Sequence, residues 1–141
     1  MKTPLLLRLA SILAALQAAA HATLFLTYRP SHGPVEAAVV ADMQAHAFAF
    51  GGAQRSYWDM YFGYGLMSAV SVALEVFVLW QLAALAAGAV RVRPIVALFL
   101  AANLVHAGLC ARYFFLTPIV PDLLVAACLA AALVFDRPAA A

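Results

Sequence analysis

The sequence predicts an all-α membrane protein: a bundle of four transmembrane helices, with a short interfacial helix between the first and the second. Composition is the first sign. Hydrophobic residues make up 67% of the 141 residues and charged residues 10%, whereas a soluble domain is nearer half apolar and a quarter charged. The second sign is that four apolar runs, each able to cross a hydrocarbon core of about 30 Å, are separated by Pro, Gly or charged turns. A chain of this length makes one membrane domain, residues 1–141. The lipid bilayer is then its first partner. The net charge of +2 is spread out and forms no basic patch, which excludes nucleic acid as a partner. Cys110 and Cys128 lie inside apolar segments without a C-x-x-C pair. They read as buried thiols, with an interhelical disulfide as the alternative.

The first span covers residues 4–26. A rival reading makes residues 1–22 a cleaved signal peptide, with Lys2 and the leucine run ahead of an Ala-rich end at His21-Ala22. The apolar run continues through Leu26, and Gln17 and His21 form an i, i+4 polar pair suited to a bundle interior, so a retained helix is preferred. Arg29-Pro30-Ser31-His32-Gly33-Pro34 enforces a turn. Residues 35–49 read as an interfacial helix ending at Gly51-Gly52, with Phe48 and Phe50 at its tip. The second span, 57–87, is longer than a bilayer requires and carries an aromatic belt of Tyr57, Trp58, Tyr61 and Tyr64. The third span is 94–116 and the fourth 119–135. Lys2, Arg8, Arg91, Arg93 and Arg137 fall on one side, against Arg29, Arg55 and Arg112 on the other. The positive-inside rule then puts both termini in the cytoplasm.

The densest polar and aromatic chemistry lies in residues 54–65. Arg55 and Asp59 are four apart and would share a helix face as an ion pair or an anion-binding couple. Tyr57, Tyr61, Tyr64, Ser68, Ser71 and Glu75 form a second stripe. Hydroxyls and a carboxylate are costly against lipid, so this stripe is expected to face protein or a pocket. Gly63-Tyr64-Gly65 has the letters of a potassium-filter triplet, but it lies between two helical stretches and reads as small residues permitting close helix contact.

Met43, Arg55-Ser56-Tyr57-Trp58-Asp59-x-Tyr61 and Gly63-x-Gly65 together resemble a pattern found in small bacterial four-helix integral membrane proteins. The resemblance covers about residues 43–65 and extends elsewhere only to length and span layout. It implies the same fold and a place in the bacterial inner membrane. It implies no activity.

The intramembrane polar set is Gln17 and His21, Glu75, and Asn103 and His106. On the third span Asn103, His106, Cys110 and Tyr113 recur on one face. Three polar faces imply a polar bundle centre, joined by default through interhelical hydrogen bonds. His21 and His106 are the metal or haem candidates, but no H-E-x-x-H or C-x-x-C-H motif supports them, and no metal or cofactor is assigned. Asp42 and His46, one turn apart, read as a solvated face rather than a chelate. Asp122 suits the first turn of the fourth helix and a pairing with Arg112. Three functional readings follow. The first is a non-enzymatic protein binding a lipid-like or small amphipathic ligand, a second copy of itself or a partner membrane protein. Its site would be built from Arg55, Tyr57, Asp59, Tyr61, Tyr64, Ser68, Ser71, Glu75, Asn103 and His106. The second is an isomerase-like intramembrane enzyme with Glu75 and His106 as acid and base. The third is a haem or metal redox carrier. In each case Glu75, deep in its span, is expected to face the first or third helix and to find a histidine, hydroxyl or backbone partner.

Overall fold

The computed structural model describes residues 2–135. Its element order is α1 (Lys2–Leu26), α2 (Pro34–Ala45), β1 (Ala47–Phe50), β2 (Ala53–Ser56), α3 (Tyr57–Ala87), α4 (Arg93–Tyr113) and α5 (Leu116–Phe135). Helices α1, α3, α4 and α5 are each long and apolar enough to cross a membrane. The chain is an all-α multi-pass membrane protein of the four-helix type. It divides into two compact units, Met1–Ala18 with Val72–Ala141, and Ala19–Ser71.

The first unit is the helical bundle. Leu7, Ala10 and Ala14 of α1 pack with Leu79, Leu82 and Ala83 of α3, with Val92 and Val96, and with Val125, Leu129 and Ala132 of α5. Alanines let the helix backbones approach closely where lipid supplies no hydrophobic drive for association. Large side chains such as Leu5, Phe77, Leu98 and Leu124 stay exposed on the outer faces, as helices turned toward lipid require. One end of the bundle is basic. Lys2 Nζ lies 4.5 Å from the Phe135 ring centroid, Arg8 lies over Trp80 at 5.6 Å, and Arg93 donates to the Leu133 carbonyl at 2.6 Å. Helix α3 ends in a Schellman turn, with Val90 N bonded to Leu85 O and Ala89 N to Ala86 O. Ala89 pays for that turn with φ +60°.

Helix limits move slightly from expectation. Helix α1 starts at Lys2, because Pro4 in the first turn removes an N–H that has no intrahelical acceptor. Helix α4 spans Arg93–Tyr113 rather than 94–116, closing at Phe114, whose N–H bonds Cys110 O. Helix α5 begins at Leu116 rather than 119 and carries Pro121 inside it. The expected basic residue Arg137 lies outside the described residues.

The second unit corrects the interfacial helix. Helix α2 stops at Ala45, and Ala47–Phe50 pairs antiparallel with Ala53–Ser56, from Ala47 opposite Ser56 to Phe50 opposite Ala53. Gly51 and Gly52 take φ +58° and +80°. A two-residue hairpin turn needs positive φ at both positions, and only glycine adopts it without strain. Those glycines therefore close a hairpin rather than end a helix, and Phe48 and Phe50 are strand residues.

Candidate functional site

The polar groups of the bundle converge on Asp122. This residue follows Pro121 in α5 and is 2% exposed. Gln17 Nε2 on α1 donates to its Oδ1 at 2.7 Å, and His106 Nδ1 on α4 lies 2.7 Å from its Oδ2. Because the carboxylate accepts, Nδ1 carries the proton of a neutral His106. One helical turn further along α4, Cys110 Sγ is 3.9 Å from the same Nδ1. A second pair joins α4 to α3: Asn103 Nδ2 donates to Glu75 Oε1 at 2.6 Å and to the Phe99 carbonyl at 2.9 Å. Gln17, Glu75, Asn103, His106 and Asp122 each lie roughly 15–22 Å along their helices from the basic end, at about 1.5 Å per residue. One polar layer therefore crosses all four helices. Nearer the basic end, Ser11 Oγ donates to the Val76 carbonyl at 2.8 Å, which ties α1 to α3.

This layer bears out the polar centre but changes its pairings. Glu75 faces α4, as expected, yet its partner is an amide. Glu75 and His106, the expected acid and base, each have another hydrogen-bond partner: Asn103 holds the carboxylate and Asp122 holds the imidazole. Asp122 is not a first-turn acid pairing with Arg112. It is more than a turn inside α5, because that helix starts at Leu116. An aspartate inside an apolar segment is itself a signal of an intramembrane partner.

The expected hydroxyl stripe is also revised. Tyr57, Tyr61, Tyr64, Ser68 and Ser71 are exposed on α3, and the Ser71 hydroxyl donates back to the Met67 carbonyl at 2.9 Å. A serine that satisfies itself one turn back needs no facing protein group. Gly65 and Ala69 are the buried residues of this part of α3.

In the second unit, Arg55 belongs to β2 and Asp59 to α3, so the two do not share a helix face. Ser56 and Asp59 form a capping box instead. Ser56 N–H donates to Asp59 Oδ2 at 2.8 Å, and Asp59 N–H donates to Ser56 Oγ at 3.1 Å. Arg55 Nη1 donates to the Gln54 carbonyl. Gln44, Arg55, Trp58 and Asp59 are among the lining of an open groove of about 420 Å³. Behind the cap lies an aromatic collar. Phe25 meets Tyr61 at 5.5 Å, Trp58 meets Tyr28 at 5.3 Å, and Phe48 meets Tyr57 at 5.0 Å between ring centroids. A Cβ on Gly65 would collide with the Phe25 ring, so this glycine serves close packing in a helix, as expected. His21 Nε2 donates to the Gly65 carbonyl at 3.0 Å and is committed there. His46 bonds the backbone of Asp42 rather than its carboxylate, at 2.9 Å.

Glu36 organises the turn before α2. It accepts from the N–H groups of Ser31 and His32 at 2.7 and 2.6 Å and from the Tyr28 hydroxyl at 2.8 Å, and His32 Nδ1 lies 3.2 Å away. The backbone N–H of His32, then the Tyr28 hydroxyl, hold this carboxyl down at a pKa of about 2. The same bond to Glu36 raises the Tyr28 phenol.

Compared with known proteins, the chain matches no family model, no curated protein and no solved structure.

Proposed function

We propose that this is a protein of the bacterial inner membrane, with both termini cytoplasmic, that binds a lipid-like or small amphipathic ligand through the polar layer at His106 and Asp122. One observation carries the reading. The His106 side chain is 50% exposed, although its Nδ1 is bound to a carboxylate 3% exposed. In lipid, the outward edge of that imidazole needs a polar partner. A hydroxyl or amine of an amphipathic molecule supplies a donor to its Nε2, and Glu75 and Asn103 extend the same layer. Independently of that layer, Arg55, Tyr57, Asp59 and Tyr61 of the second unit would offer polar and aromatic contacts to bilayer headgroups. The Arg55-to-Gly65 motif supports a kinship with small bacterial four-helix membrane proteins. The basic end at Lys2, Arg8 and Arg93 supports the orientation.

A photoactivatable lipid analogue in the membrane should label the peptide around His106, and His106→Leu should remove that labelling. Unchanged labelling in His106→Leu would sink the reading. A cross-link to a second copy or to another membrane protein at this position would assign the exposed imidazole to an interface instead. Impermeant thiol labelling should reach Ser31→Cys from outside and Val90→Cys only after lysis; the reverse pattern would invert the orientation. A second reading, intramembrane acid/base catalysis, rests on the 2.7 Å His106–Asp122 dyad rather than on Glu75.

A further inference from the structure

We propose that His106, Cys110 and Asp122 form a binding site for a divalent transition-metal ion of the zinc class. Their ligand atoms all lie within 4.8 Å of one another. His106 and Cys110 are one turn apart on α4, so both side chains leave the same face, and Asp122 reaches across from α5. Nδ1 and Oδ2 are 2.7 Å apart, and Sγ and Nδ1 are 3.9 Å apart. Zinc sits about 2.0–2.3 Å from nitrogen, oxygen and sulfur ligands, which puts tetrahedral neighbours about 3.3–3.7 Å apart. Opening the first pair and closing the second by about half an ångström, a side-chain adjustment, would seat the ion between them.

The donor set selects the metal. One imidazole, one thiolate and one carboxylate suit zinc and its neighbours, and the thiolate disfavours magnesium and calcium. Gln17 already fixes the ligating carboxylate by holding Oδ1 while Oδ2 faces His106, the supporting role a second layer plays around metal ligands. Cys110 and Asp122 are buried, and half-exposed His106 leaves a side on which a fourth ligand can enter. Cys110 is one turn from the end of α4, so the ion has a short path in from the α4–α5 turn. On binding, the Cys110 thiol releases its proton to water, and the one proton of the neutral imidazole moves from Nδ1 to Nε2, so that the Nδ1 lone pair can ligate. This site does not depend on the amphipathic-ligand reading, and a metal titration fails or succeeds separately from lipid labelling.

The experiment is a titration of the full-length, detergent-purified chain with Co²⁺ alone, followed by displacement with Zn²⁺. One equivalent should give the visible bands of tetrahedral cobalt and a thiolate-to-cobalt charge-transfer band in the near ultraviolet. Cys110→Ser should abolish the charge-transfer band, and Cys128→Ser should keep it. Gln17→Ala should weaken binding by about 10-fold to 100-fold, as the loss of a group that orients a ligand does. Helical circular dichroism of each apo variant would separate loss of ligation from loss of fold. Two results would overturn the proposal: no saturable cobalt spectrum from the folded wild type, or a spectrum that Cys110→Ser leaves unchanged.

Discussion

Asp122→Ala removes the acceptor that joins three helices. The Gln17 amide and the His106 ring both lose a partner at 2.7 Å, and a site that was 2% exposed becomes a void. Interhelical hydrogen bonds in membranes average about 0.6 kcal/mol and reach about 1.7. Two such bonds come to about 1–3 kcal/mol, and the void adds to that. Asp122→Asn keeps the volume and one acceptor for Gln17, so it should cost about 1 kcal/mol or less. The decisive assay is a double-mutant cycle of Asp122→Ala with His106→Ala, read by reversible SDS unfolding in mixed micelles. The two changes share one bond, so they should couple by at least about 0.5 kcal/mol. Strict additivity would mean that the 2.7 Å contact carries no energy and that the polar layer does not hold the bundle together.

Ser56→Ala should cost about 1 kcal/mol and Asp59→Ala should also lower the melting temperature, while Arg55→Ala lowers it less, because the cap and not an ion pair starts α3; the opposite order in thermal melts would restore the ion pair. Gly65→Ala should destabilise by about 1–3 kcal/mol through the Phe25 ring, and Phe25→Ala in the same chain should shrink the added penalty; an unchanged melting temperature in Gly65→Ala would remove this contact from the packing. Ala89→Gly should stabilise by about 1 kcal/mol by relieving φ +60°, and a lower melting temperature would count against the Schellman turn. Glu36 has its pKa lowered from 4.5 to about 2, so its bonds should hold the Tyr28–Glu36 turn fully above about pH 4.5 and release it as pH falls through about 2. Carboxyl-carbon NMR should trace that titration, and a midpoint near 4.5 would contradict the geometry.

Span number, the limits of α3 and the existence of a polar centre follow from the sequence alone. Each depends on the solvent: lipid rewards long apolar runs and penalises a bare polar group, whatever the neighbours are. The hairpin was also legible, since alternating Ala-Phe-Ala-Phe before Gly-Gly is a strand-and-turn pattern, but apolar residues at 35, 39, 43 and 47 suggested one longer helix. Pairing within the polar layer was not legible. Gln17, Glu75, Asn103, His106 and Asp122 offer many combinations at one depth, and only the rotation of each helix about its axis chooses among them. That rotation is set by where small residues let backbones approach, at Ala10, Ala14, Ala83, Ala126 and Ala132, and one hundred degrees per residue is enough to exchange a buried partner for a lipid-facing one. Tertiary packing therefore turned Ser68 and Ser71 outward, and it placed Asp122 against Gln17 and His106 and within reach of Cys110.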